Sequence, residues 1–294
     1  MYDNDNISER FCINSSDEYV NFVLFWAAYK NELDVARKLL NWKEINVNVS
    51  VNVGNYGTPL HAACGNGNVE MAELLIENGA KVDAVDIDGF TPLNQALRCG
   101  SKEIVSLLIR SNCDVNYTFS DFFFTPLHIT AKENKVDIIK ELLAAKTIDT
   151  NRVDKCGRTP LYIAVKYGHL ETVKLLISAE KAVDPNISAD NGHTALHLAV
   201  KSNNLDIFYE LLALKDIDVD CRASNIDSPL YIACIRGNLK MVKSLLEKNA
   251  DVFREFGFLR CDNFYNLHQL AKMGHTKIVR VLLRHMESIY KIVT

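Results

Sequence analysis

Leucine recurs through this 294-residue chain in two columns that leave few folds open. The first is Leu24, Leu60, Leu93, Leu127, Leu161, Leu196, Leu230 and Leu267, with successive gaps of 33 to 37 residues. The second, Leu39, Leu75, Leu108, Leu142, Leu176, Leu211, Leu245 and Leu282, holds the same phase. A period in this range marks modules that each bury an apolar face against the next, so no single central core is expected. The first column lies inside a recurring segment: Thr58-Pro-Leu-His-Ala-Ala, Thr91-Pro-Leu-Asn-Gln-Ala, Thr125-Pro-Leu-His-Ile-Thr, Thr159-Pro-Leu-Tyr-Ile-Ala, Thr194-Ala-Leu-His-Leu-Ala and Ser228-Pro-Leu-Tyr-Ile-Ala. Weaker copies start at Phe22 and Tyr265.

Each segment has a local physical reading. Thr or Ser before Pro is a helix N-cap followed by Pro at the first helical position, where the missing N–H costs nothing. Gly67, Gly100, Gly168, Gly237 and Gly274, with Asn31, Asn134 and Asn203 in the other copies, occupy the slot of a left-handed helix end. The stretch from Leu170 through Val173 and Leu176 to Ile177 has the i, i+3, i+4 pattern of a second, amphipathic helix. Asp88-Gly89 and Asn191-Gly192 supply turns between units. Three turns depart from the pattern, with Phe123, Ile226 and Asn263 in the place of glycine. The alternation from Asn46 to Val53 predicts an extended strand arm, and Phe253 to Phe258 a lengthened loop.

The Thr-Pro-Leu-His-x-Ala segment at this period resembles the ankyrin repeat family, over Phe22 to about His285. The resemblance implies an all-α fold with short β-hairpins: a hairpin and two antiparallel helices per unit, stacked into a curved solenoid. Eight units are expected, beginning near 22, 58, 91, 125, 159, 194, 228 and 265, within a repeat domain spanning 22–285. Residues 1–21 form a polar N-terminal cap in this scheme, and 286–294 a C-terminal tail.

Composition narrows the function. Thirty-three Lys and Arg against 37 Asp and Glu give a net charge of −4, which disfavours nucleic acid as a partner. No stretch approaches the roughly 20 apolar residues of a membrane span, so direct membrane insertion is not expected. The polar, acidic start from Met1 to Asp17 lacks the pattern of a secretory signal, and a cytoplasmic protein is expected, with the nucleus as an alternative. The eight cysteines then stay reduced, and none has metal-site spacing. The Asn-x-Ser/Thr matches at Asn6, Asn14, Asn48, Asn116 and Asn186 are coincidental in that setting.

Of eight histidines, His61, His128, His197 and His268 hold the fourth motif position, which the family uses for hydrogen bonds within and between units. His169 and His275 follow the inter-helix glycine, leaving His193 in a turn and His285 in the tail. Neither a P-loop nor a His-Glu-x-x-His or Gly-x-Ser-x-Gly motif is present, and Asp86-Ile-Asp88 reads as a hairpin turn. The expectation is a non-enzyme without cofactor, metal or small-molecule substrate.

By resemblance, a partner lies on the concave face, reached by the two residues before the inter-helix Gly or Asn. Seven units of eight place a basic residue there: Lys30, Arg98, Lys132, Lys166, Lys201, Arg236 and Lys272. Two readings stand side by side: an electropositive groove for an acidic segment of a partner protein, or solvated helix ends that complement the helix dipole. A second candidate surface is aromatic, with Phe90, Phe122, Phe123, Phe124 and Tyr167 as an interface anchor. Local packing around the missing turn glycine is the competing account. Leu108 followed by Asp114-Val-Asn116 matches the spacing seen in ankyrin substrates of asparaginyl hydroxylation, making Asn116 a candidate site.

The leading expectation is therefore a protein–protein interaction scaffold. Its rivals are a substrate-recognition subunit of a ubiquitin ligase, for which the roughly ten residues after the last unit fall short of the family's C-terminal box, and a regulatory fragment of a larger protein. Nucleic-acid binding through the basic ladder, with Tyr29, Tyr167 and Phe122 stacking on bases, is a further rival.

Overall fold

A computed structural model describes residues 16–51, 57–119, 122–223, 227–253 and 263–293. Sixteen helices lie among them, paired as the two leucine columns require. The pairs are α1 (Ser16–Lys30) with α2 (Leu33–Leu40), α3 (Pro59–Gly65) with α4 (Val69–Glu77), and α5 (Pro92–Cys99) with α6 (Lys102–Arg110). Next come α7 (Pro126–Glu133) with α8 (Val136–Ala144), α9 (Pro160–Tyr167) with α10 (Leu170–Ile177), and α11 (Ala195–Lys201) with α12 (Leu205–Leu212). The last are α13 (Pro229–Ile235) with α14 (Leu239–Glu247) and α15 (Asn263–Lys272) with α16 (Thr276–Val293).

Most of these helices have seven to nine residues, below the length at which an isolated helix persists in water, so their ends and neighbours must hold them. The caps do part of this. Thr159 Oγ1 accepts from the Tyr162 amide (3.2 Å) and Ser228 Oγ from the Tyr231 amide (3.1 Å). The inter-helix slot adopts positive φ whether Gly fills it, as Gly100 does at 82°, or Asn, as Asn31, Asn134 and Asn203 do at 55–61°.

Packing does the rest. Leu60, Leu93, Leu127, Leu161, Leu196 and Leu230 are at most 1% exposed, and so are Leu75, Leu108, Leu142, Leu176, Leu211, Leu245 and Leu282. In the first and last helix pairs one leucine of each stays buried, Leu24 and Leu282, while Leu39 and Leu267 are only half-buried. Contacts divide the chain into two compact units, Met1–Thr130 with Lys135–Ile148, and Ala131–Asn134 with Asp149–Thr294. In the first, α1, α3 and α5 pack side by side, backed by α2, α4, α6 and α8. In the second, α9, α11 and α13 pack in the same way; α10 lies against α12, and α14 against α16.

The tips between rungs are turns, with no strand among the described residues; the antiparallel bridges Val51–Gly57 and Phe119–Phe124 stand alone. The strand arm expected from Asn46 is therefore corrected up to Ser50. Asn46 Oδ1 takes the Asn48 amide (3.0 Å) and the Asn46 carbonyl takes the Val49 amide (3.1 Å), folding the segment into a turn. Asn52 and Val53, the turn residue Ile226, most of the Phe253–Phe258 loop and residues 1–15 of the cap expected over 1–21 lie outside the described residues. Helix α1 starts at Ser16, ahead of position 22, and α16 continues unbroken past His285 to Val293.

Candidate functional site

The motif histidines hold the rungs rather than a reacting atom. His61 Nδ1 accepts from the Thr58 amide (3.1 Å), and its Nε2 donates to the Phe90 carbonyl of the next tip (3.0 Å). His197 repeats this with the Thr194 amide and the Asp227 carbonyl, each at 3.1 Å. Burial lowers the His61 pKa and takes that of His197 to about 4, so both stay neutral. His169 and His275 donate to the Lys132 and Ile235 carbonyls (3.0 and 3.2 Å). His268 differs from its counterparts: it is exposed. Burial also raises the thiols of Cys221, to about 11, and Cys113, to about 12, which keeps them protonated and unreactive. Among the described residues no group of three His, Cys, Asp or Glu could hold a metal ion, and no helix is long and apolar enough to cross a membrane.

A second network joins the tips, and it is one that motif reading missed. Asn151 donates Nδ2–H to the Ala182 carbonyl (2.8 Å) and accepts from the Asp184 amide (2.9 Å); Asn186 does the same with Asp216 and Asp218 (2.7 and 2.8 Å). Asn48 grips Gly79 and Lys81 in the same way (3.1 and 2.7 Å). The available signal was the repeated Asx-x-Asx pair at one phase, as in Asp149-x-Asn151 and Asp184-x-Asn186. Asn116, the candidate hydroxylation site, belongs to this ladder: its Nδ2 donates to the Thr147 carbonyl (2.7 Å).

The seven row residues all stand exposed where the first helices end: Lys30, Arg98, Lys132, Lys166, Lys201, Arg236 and Lys272. None pairs with a carboxylate of a described residue. Instead Lys30 lies over the Tyr29 ring (5.2 Å), Arg98 over Phe90 (5.8 Å) and Lys166 over Tyr167 (5.9 Å). On the second helices, two cations pair across rungs. Lys102 on α6 meets Glu141 on α8, and Lys174 on α10 meets Glu210 on α12, both at 3.3 Å. Other second-helix cations, Arg110, Lys243 and Arg280 among them, also meet no carboxylate of a described residue. The first-helix row is set apart by its regular spacing, one exposed cation at the helix end in seven of eight rungs.

The aromatic candidates divide. Phe122 (55%) and Phe123 (53%) are exposed, as is Tyr167 (47%), while Phe90 and Phe124 are half-buried. Phe122 stacks on Phe124 at 5.9 Å, and Phe90 packs against Phe119 at 5.0 Å. Phe90 and Arg98 also border an open cavity of about 590 Å³ in the first unit, with Tyr29 and Asn66 on its walls and Ala62 and Gly65, which carry almost no side chain, beside them.

An ankyrin repeat family model matches residues 14–119, 120–189, 179–256 and 203–292. The chain is 29% identical over 168 residues to the human transient receptor potential cation channel subfamily A member 1, covering 57% of this chain, and 28% identical over 239 residues to the E3 ubiquitin-protein ligase KEG of Arabidopsis thaliana, covering 76%. It spans 14% of the length of each of those relatives. The crystal structure of the ankyrin repeat domain of Bcl-3, described as a unique member of the IkappaB protein family, superposes with a TM-score of 0.68 at 25% identity, over 76% of this chain and 97% of that one. The paired helices, the His and Asn ladders and these matches agree: the chain belongs to the ankyrin repeat family and is a repeat solenoid of the kind used for protein–protein interaction.

Proposed function

We propose that the chain is a non-catalytic scaffold that captures an acidic segment of a partner protein along its first-helix face, with aromatic hairpin tips as anchors. One observation supports this most: in a protein of net charge −4, seven of the eight first helices end on exposed cations that pair with no carboxylate of a described residue. Five of them, Lys132, Lys166, Lys201, Arg236 and Lys272, fall in the second compact unit, one per rung. Unpaired charge of one sign along a surface steers an oppositely charged segment and fixes its register. Phe122 and Phe123 offer apolar area of the kind that dominates interface energy. The reading carries an intracellular setting, in which the thiols stay reduced.

Replacing Lys132, Lys166 and Lys201 together by Glu in the full chain tests it. Association with the partner captured from source cells should slow by on the order of tenfold at low salt, and its salt dependence should flatten. Unchanged affinity and salt slope would overturn the reading. A second reading, a substrate-recognition or regulatory segment of a longer protein, is favoured by the much greater length of the channel and ligase relatives. An antibody against the chain separates the two by the size of the endogenous protein, 33.1 kDa or larger.

A further inference from the structure

The second unit holds a small cavity of about 170 Å³ lined by His193, Lys201, Asp227, Tyr231 and Arg236. His193, only 8% exposed, stands edge-on to His197 with ring centres 5.3 Å apart. Its Nδ1 is buried without a hydrogen-bond partner, an arrangement that native structures seldom leave unanswered. The reason lies in the hairpin. One rung earlier, Arg158 closes on Asp154, four residues upstream, through contacts of 2.6 and 2.7 Å. Four residues upstream of His193 stands Ala189, so this hairpin keeps a basic side chain and lacks the acid. Lys201 and Arg236 likewise pair with no carboxylate of a described residue.

We propose that this cavity is a carboxylate subsite, in which one Glu or Asp side chain of the partner enters between Lys201 and Arg236 and accepts a hydrogen bond from His193 Nδ1. The subsite rests on the acidic-segment reading and names where that segment is gripped. The volume matches one side chain and falls below the roughly 300–1,000 Å³ of small-molecule sites. Asp227 is the one carboxylate among the described residues that line the cavity, and two permanent cations outnumber it. Burial and Lys201 hold the His193 pKa below its ordinary value against the opposing pull of Asp227, so the empty site presents a neutral imidazole. The groups around that ring are His197, committed to Thr194 and Asp227, together with Lys201, Asp227, Tyr231 and Arg236. A guest carboxylate favours the imidazolium, so affinity should rise as pH falls from 8 to 6.

The test titrates the full chain with a fluorescein-labelled hexaglutamate peptide, amidated at its C-terminus so that only side-chain carboxylates are offered. Anisotropy gives the affinity, and the His193 ring resonances report the site directly. Arg236→Gln, at an exposed position, and His193→Phe should each weaken binding about tenfold, and Arg98→Gln, in the first unit, about twofold or less. Peptide should move the His193 resonances, and its tightening at low pH should vanish in His193→Phe. If peptide binds but Arg236→Gln and Arg98→Gln weaken it equally with the His193 resonances still, the subsite is overturned and the basic-row reading stands. If no peptide binds at 50 mM salt, both fall.

Discussion

His61 and Asn94 occupy the same motif position and differ by one hydrogen bond. Each closes the cap: Asn94 Oδ1 accepts from the Thr91 amide (2.9 Å), as His61 Nδ1 does from Thr58 (3.1 Å). The imidazole then reaches across to the next tip, whereas the shorter amide cannot, and Asn94 Nδ2 is buried without a partner. The carbonyl that a longer side chain would meet is that of Phe124, which already takes the Phe119 amide (3.3 Å), just as the Phe90 carbonyl takes both the Asp86 amide and His61. Asn94→His should therefore raise stability by about 1 kcal/mol. Urea unfolding measures this, and an unchanged or lower midpoint would contradict it.

The same histidines set a pH dependence. His197 has a pKa of about 4 in the folded chain and an ordinary 6.5 when unfolded, so the native state binds fewer protons. Its contribution is complete above pH 6.5 and drains away as pH falls towards 4, by about 3 kcal/mol in total. His61 is shifted in the same direction. Thermal melts should show a falling midpoint between pH 7 and 5, with a shallower fall in His197→Asn; a flat profile in the parent chain would refute the argument.

The hairpin tip of the fourth rung shows strain and function set against each other. Phe123 holds φ +55°, a left-handed conformation that glycine adopts in the matching turns, Gly89 at +82° and Gly157 at +72°. Its ring gains little in return, since it is 53% exposed. Phe123→Gly should thus stabilise the fold by about 1 kcal/mol through relieved strain while weakening partner capture. A loss of stability would instead mean that the aromatic packs locally. The caps, the left-handed slots and both leucine columns were legible in the sequence because each depends on residues within one unit. The Asn ladder was not, because Asn46-Val-Asn-Val imitates strand alternation and its meaning lies in a carbonyl some thirty residues away, such as Gly79 for Asn48. His193 was opaque for a related reason. Reading it as a turn residue needed no neighbours, but its orphaned nitrogen follows from Ala189 and from the Asp227–Arg236 segment that the following rung lays beside it.

A chain built from rungs distributes its stability differently from one with a single core. Each rung buries its leucines against adjacent rungs, so the effect of a defect should fade with distance along the stack. Leu211 on α12 is fully buried, and its replacement by Ala should cost roughly 2–5 kcal/mol, the range for an apolar side chain truncated in a packed interior. In a centrally packed domain that loss would lower every protected amide alike. Here hydrogen exchange should show the largest loss in α11 and α12, a smaller one in α10 and α14 on the flanking rungs, and the least in α16, two rungs away in the same unit. Equal loss of protection in α10, α12 and α16 would mean that the second unit unfolds as one block. The His and Asn bonds between rungs would then act as a single cooperative network and not as separable nearest-neighbour links.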